Sequence, residues 1–215
     1  MSRFLLHDND TAPLHAIGGK AAGLRRLQSL GLRVPHFVIL SADAYRIACA
    51  DGAVPDSLPP DIARAVHTAW EELGGGTVPL AVRSSAVEED GMTRSFAGQM
   101  ETALNVQTLD ALMTAVLGCW RSLHSQRACA YRSWAGTQEA PAMSVVIQAM
   151  IVPEVSGVAF TMNPVSGRRD EILVNAIWGL GEGLVSGALD ADTFVLDREG
   201  RVTSRHLASK ETQIV

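Results

Sequence analysis

Residues 80–106 read LAVRSSAVEEDGMTRSFAGQMETALNV, and the fold turns on what this stretch can form. Two short runs, Leu80-Ala81-Val82 and Ala103-Leu104-Asn105-Val106, enclose a middle made almost wholly of small, charged or hydroxylated residues. The flanks read as paired strands, the middle as a long loop. Arg83 follows directly on an apolar run, so a strand holds its guanidinium at the sheet edge, where a rigid fork of donors suits a phosphate or carboxylate. Ser84 and Ser85 add hydroxyl and backbone donors beside it. In Phe96-Ala97-Gly98-Gln99 the missing side chain of Gly98 lets the backbone approach a ligand closely, and Thr102 re-enters the second run with its hydroxyl available. For any one of these residues the alternative is an ordinary surface loop, with the acidic tip Glu88-Glu89-Asp90 paired to Arg83 or Arg94. Taken as a set they favour function, because long polar segments inside compact domains are usually functional or disordered.

The totals bound what surrounds this stretch. A chain of 215 residues buries a real core, as one large domain or two small lobes, and 47% hydrophobic with 19% charged residues is the composition of a globular protein. The net charge of -5, without a dense Lys/Arg block, leaves a nucleic-acid partner without its usual electrostatic footprint. Cys49, Cys119 and Cys129 form no CxxC pair and stand at no metal-ligand spacing with histidine, so reduced buried thiols are expected. The start, MSRFLLHDND, lacks a signal peptide's apolar core, and the apolar stretch from Met143 to Val152 is interrupted by Gln148 and too short to span a bilayer. A cytoplasmic protein without membrane partners is the expectation.

Upstream, Ile17-Gly18-Gly19-Lys20 opens a segment with Leu24, Leu27 and Leu30 at helical spacing, closed by Gly31. Lys20 therefore falls in a helix's first turn, where free N–H groups and the positive dipole end favour an anion. A Walker A loop is excluded, because GxxxxGK[ST] meets Leu14 and Ala21 at two required positions. Phe37 to Leu40 reads as a strand, Ser41 as an N-cap, 61–73 as a helix with Ile62, Val66, Ala69 and Leu73 on one face, and Thr108 as the cap of a helix over 109–120. A further helical run is read over 122–134. From Met143 onward come β-like runs at 144–150, 155–161, 171–176, 193–197 and 201–207, which set a lobe boundary at 136–142 and divide the chain into an α+β lobe, 1–140, and a β-rich lobe, 141–215. Trp178-Gly179-Leu180-Gly181-Glu182-Gly183 offers a glycine-rich loop for a dinucleotide, or a close packing of backbones.

These segments together resemble the N-terminal nucleotide-binding domain of the phosphoenolpyruvate synthase, pyruvate phosphate dikinase and rifampin phosphotransferase family. The matching residues are Gly18 to Leu24, Val82 to Ala86, Glu89-Asp90, Ser95 to Gln99, Glu101-Thr102, Val146 to Met150, Ser156 to Val158, Asn163-Pro164, Trp178 to Glu182 and Val185 to Gly187. Any one piece is common; the ordered set is specific. The resemblance implies an ATP-grasp-like architecture of two lobes gripping ATP, with Lys20 and Arg83 holding phosphates, Gly98 and Thr102 lining the triphosphate loop, and Gln148 at the base from a strand of the second lobe. It also implies transfer of ATP's β-phosphoryl group to a histidine on a separate domain, releasing AMP and phosphate, with magnesium bridging the phosphates.

The sequence departs from that pattern at its end. The family domain continues past the strand that 201–215 resembles, into a segment that supplies the acidic metal ligands, so a C-terminally truncated domain is expected. Its magnesium ligands would lie outside the chain, which is not expected to turn over alone. His206 is read as structural. Two other functions compete: a non-catalytic nucleotide-binding or interaction module that kept the fold, and, more distantly, a nicotinamide oxidoreductase using the glycine-rich loop.

Overall fold

The computed structural model describes residues 3–7, 10–86, 102–125 and 142–214. Gly98, the acidic tip Glu88-Glu89-Asp90, Cys129 and most of the helical run expected at 122–134 lie outside the described residues. The chain divides into two compact units, Met1–Met150 and Ile151–Val215.

The first unit is built on a five-stranded antiparallel sheet. Its strands are β1 (Leu5–Leu6), β2 (Phe37–Leu40), β3 (Leu80–Ala86), β4 (Thr102–Val106) and β5 (Met143–Ala149), in the spatial order β1-β2-β5-β3-β4. Strand β5 lies at the centre, buried at six of its seven positions. This corrects the expected lobe boundary. Pairing between β2 and β3 satisfies the backbone of 143–149 inside the first sheet, so the division falls after Met150 rather than at 136–142, and Gln148 belongs to the first unit. The change in composition at Met143 marked a strand buried on both faces, which reads as a continuous apolar run wherever it sits.

Helices cover both faces of this sheet. On one face pack α2 (Ala42–Ala48), α3 (Pro60–Glu72) and α4 (Leu109–Ser122), whose Tyr45, Ile62, Val66, Leu112, Val116 and Trp120 form one core with Val38, Leu40, Leu80, Val82, Val145 and Ile147. The other face carries α1 (Leu14–Ser29), where Ile17 and Ala21 meet Phe37, Ile39 and Val146. Two helix starts behave differently. Thr108 caps α4 as expected, its hydroxyl accepting from Ala111 N at 3.2 Å. Ser41 occupies the cap position of α2, but its hydroxyl makes no capping bond and is buried without a partner among the described residues. The leucine spacing misreads α1: Leu24 packs on the small core, while Leu27 and Leu30 are 41% and 66% exposed. The helix buries its Gly18, Gly19 and Ala21 side because small residues permit close approach to a sheet.

The second unit is a four-stranded antiparallel meander, β6 (Val155–Phe160), β7 (Ile172–Trp178), β8 (Asp192–Leu196) and β9 (Val202–His206), with a single-turn helix α5 (Glu182–Val185). Among its described residues the buried apolar side chains are Leu173 and Ile177, both on β7. The turn between β6 and β7 is held by Asn163, whose Oδ1 accepts from Val165 N at 3.0 Å and Ser166 N at 3.2 Å and whose amide donates to Glu171 at 2.8 Å. Beyond β9, Lys210 pairs with Asp192 at 2.6 Å, and this hydrogen bond from Lys210 holds the Asp192 carboxyl below its ordinary value. Among the described residues no helix is long and apolar enough to cross a membrane.

Candidate functional site

Directly paired residues of neighbouring strands share a face, and each face repeats every second residue. Across β3 and β5 the face turned toward α1 therefore carries three successive rows. Ser85 and Ser144 form the first; Arg83 and Val146, with Thr102 opposite Arg83 on β4, form the second; Ala81 and Gln148, with Phe37 on β2, form the third. Rows on one strand are about 7 Å apart. Arg83, Thr102 and Gln148, selected from distant parts of the sequence, thus lie on one face of one sheet.

Lys20 reaches the same face from α1. The helical run Leu14–Ser29 is broken at Gly18, with φ 69° and ψ 173°, so the turn 14–17 ends there and a second helical segment begins with Gly19 and Lys20. That pair of angles lies in a region essentially reserved for glycine. A Cβ at Gly18 would stand 2.3 Å from Ser85 O. Lys20 is half-buried, and its Nζ donates to Ser84 O at 2.9 Å, which sets the ammonium beside the peptide that follows Arg83.

Arg83 stands in the second of these rows. It is half-buried, and among the described residues its guanidinium meets no carboxylate and makes no hydrogen bond. Partly desolvating a permanent cation without a counter-charge costs free energy, which an anionic ligand would offset. Thr102 is exposed as β4 begins. Gln148 is 6% exposed and its amide donates to Pro35 O at 3.1 Å, leaving Oε1 as its remaining polar atom.

Two readings change. The hydroxyls of Ser84 and Ser85, expected beside Arg83 as ligand donors, are fully buried. Ser84 Oγ has no partner among the described residues, and Ser85 Oγ donates to Ile17 O at 2.9 Å while accepting from Ala21 N at 3.3 Å. The glycine-rich loop 178–183 is filled by the chain itself: Leu180 N donates to Ile214 O at 2.8 Å, and a Cβ at Gly179 would lie 2.1 Å from that oxygen. It packs backbones rather than cradling a dinucleotide. Sequence reading also passed over Ser144, whose hydroxyl bonds Ile17 O and lies 3.1 Å from Ser85 O. A lone serine in the apolar run Met143 to Ile147 was the available signal, since a buried hydroxyl needs a partner.

Among the described residues no three His, Cys, Asp or Glu side chains converge to hold a metal, and the three rows of this face carry no carboxylate, whereas magnesium is usually held by one or two carboxylates together with phosphate oxygens and water.

Residues 51–215 match the family model described as pyruvate phosphate dikinase, AMP/ATP-binding domain. The chain is similar to the prodigiosin synthesizing transferase PigC of Serratia marcescens, with 38% identity over 95% of this chain and 25% of PigC. It is 33% identical to a probable phosphoenolpyruvate synthase of Methanocaldococcus jannaschii over 92% of this chain and 20% of that protein. With a rifampicin phosphotransferase of Streptomyces sviceus the identity is 35%, over 97% of this chain and 28% of the other. The chain thus spans about a quarter of the length of these relatives.

Proposed function

Because the chain belongs to the pyruvate phosphate dikinase, AMP/ATP-binding domain family, an ATP-grasp-like α+β class, we propose that it binds ATP phosphates at Lys20 and Arg83 for phosphoryl transfer to a histidine on a separate domain. The observation that carries the reading is the half-buried guanidinium of Arg83, which meets no carboxylate among the described residues, on the sheet face that Lys20 also reaches. The relatives support it from another side. Three proteins named for a prodigiosin, a phosphoenolpyruvate and a rifampicin reaction share this portion, most of which matches a family model described as AMP/ATP-binding.

In this reading Arg83 grips phosphate oxygens with its planar fork, and Lys20 exchanges the Ser84 carbonyl for a phosphate oxygen. Thr102 donates its hydroxyl from the strand opposite, and Gln148 reads the base through Oε1, about one row further along the face. Gly98 completes the triphosphate loop from outside the described residues. The α–β anhydride bond breaks as the histidine nitrogen takes the β-phosphorus, and water cleaves the β–γ bond, so AMP and phosphate leave. Phosphoryl transfer asks the protein chiefly for positioning and charge neutralisation. Any bridging magnesium would take its protein ligands from beyond the described residues.

Calorimetric titration with ATP tests this. Lys20→Ala and Arg83→Ala are each expected to weaken binding by about 10- to 100-fold, the value of a charge-assisted hydrogen bond of ~1.5–3 kcal/mol. Unchanged affinity in both variants would overturn the proposal. Formation of AMP and a phosphohistidine, on addition of the histidine domain, separates a transferase part from a module that only binds.

A further inference from the structure

The turn that carries Lys20 is fastened to the sheet by two serines standing opposite each other on adjacent strands. Ser85 on β3 and Ser144 on β5 are registered partners, and both are fully buried. Ile17 O, three residues before Lys20, accepts from Ser85 Oγ at 2.9 Å and from Ser144 Oγ. Ala21 N, one residue after Lys20, donates to Ser85 Oγ at 3.3 Å. The backbone is therefore pinned on both sides of Lys20. Between the two pins lies Gly18, in a conformation that only glycine adopts readily and in contact with Ser85 O.

We infer that Ser144, acting with Ser85, is a positioning residue: its hydroxyl clamps the Gly18-Gly19-Lys20 turn onto β3 and β5 and so sets Lys20 relative to Arg83. This rests on the phosphate-binding role of Lys20 and Arg83 stated above. Lysine reaches its ligand on a stem of four methylenes, so the placement of its ammonium depends on where the α-carbon is held. Ile17 packs on the sheet ahead of the turn, but the turn itself contributes only Gly18 and Gly19 before Lys20, which leaves that point of contact without a bulky interlocking side chain. The strands that provide the two hydroxyls are the same strands that carry Arg83 and Gln148. One pair of hydroxyls thus ties the lysine to the frame that presents the arginine. Ser144 Oγ also lies 3.1 Å from Ser85 O, so loss of the Ser144 hydroxyl removes a second contact to the backbone of β3.

A double-mutant cycle separates positioning from mere packing, because residues that act through one another are non-additive. ATP affinity is measured by calorimetry for the wild type, Ser144→Ala, Lys20→Ala and the double variant, with thermal midpoints recorded alongside. Ser144→Ala is expected to weaken ATP binding about 3- to 10-fold, and in the Lys20→Ala background to weaken it no further. Ser144→Thr, which restores the hydroxyl, is expected to recover most of the affinity. Equal losses in both backgrounds, or wild-type affinity in Ser144→Ala, would overturn the inference. Should Ser144→Ala fail to fold, Ser144→Cys, close in volume and a weak donor, carries the same cycle with the same two outcomes. Unchanged affinity in Lys20→Ala would instead strike the phosphate-binding role of Lys20 on which the inference rests, and unchanged affinity in Arg83→Ala as well would strike the proposed function, so the failures are distinct.

Discussion

Arg83 and Gly18 are the two residues whose chemistry is least replaceable, for opposite reasons. Arg83 supplies a rigid planar fork at a fixed point of β3, so Arg83→Lys keeps the charge but loses the paired donors. That variant is expected to bind ATP about threefold to tenfold more weakly than wild type while remaining tighter than Arg83→Ala, which competition titrations on the three proteins would rank. Gly18 supplies nothing but room and a backbone conformation. Gly18→Ala forces an L side chain to φ 69° and drives a methyl into Ser85 O. A side chain held in this sparsely populated region costs about 1–3 kcal/mol and overpacking about 1–3 kcal/mol, so a loss of about 2–6 kcal/mol in urea unfolding is expected. A destabilisation under 1 kcal/mol would mean that the turn relaxes.

Among the elements, α4 and the β1 end show how single contacts set a boundary. Thr108 accepts from Ala111 N at the start of α4, so Thr108→Ala should cost about 1 kcal/mol in denaturant unfolding, with no effect on nucleotide affinity. At the end of β1, His7 stands between Glu72 of α3, 2.9 Å from Nε2, and Asp10, 3.3 Å from Nδ1, and its carbonyl accepts from Arg25 of α1. Burial lowers its pKa, but hydrogen bonds and charge attraction from Glu72 and then Asp10 outweigh burial and leave it above 6.5. A histidine raised in the folded state stabilises fully below its unfolded pKa, and that contribution is lost as pH rises through the folded value. The Tm difference between wild type and His7→Gln is therefore expected to be largest near pH 6 and to shrink above neutrality. A difference that grows with pH would refute the assignment.

At the scale of the molecule the two units differ in how deeply they bury their strands. Six of the seven residues of β5 are buried and all four of β2, whereas all five of β9 are exposed and β8 is intermediate throughout. Local opening follows burial and protected backbone hydrogen bonding. Hydrogen exchange followed by mass spectrometry should find peptides of β2 and β5 the slowest and those of β9 among the fastest of the strands. Protection of β9 equal to that of β5 would show a covered face.

The sequence by itself determined the α+β class, the strands at 37–40 and 155–160 to within a residue or two, the start of the strand at 80 though not its end at 86, the cap at Thr108, the lysine in a first helical turn and the strand-borne arginine. It did so because period, caps and turn residues act locally, within a few positions along the chain. Tertiary structure alone decided that β5 lies between β2 and β3, that Gln148 belongs to the first unit, that Leu27 and Leu30 face outward, and that Ser85 and Ser144 hold a helix rather than a ligand. Each of those depends on a partner about 60 or more residues away along the chain or on which face of a helix a sheet happens to meet. A hydroxyl or a leucine carries no mark of its partner until the backbone has brought the two together.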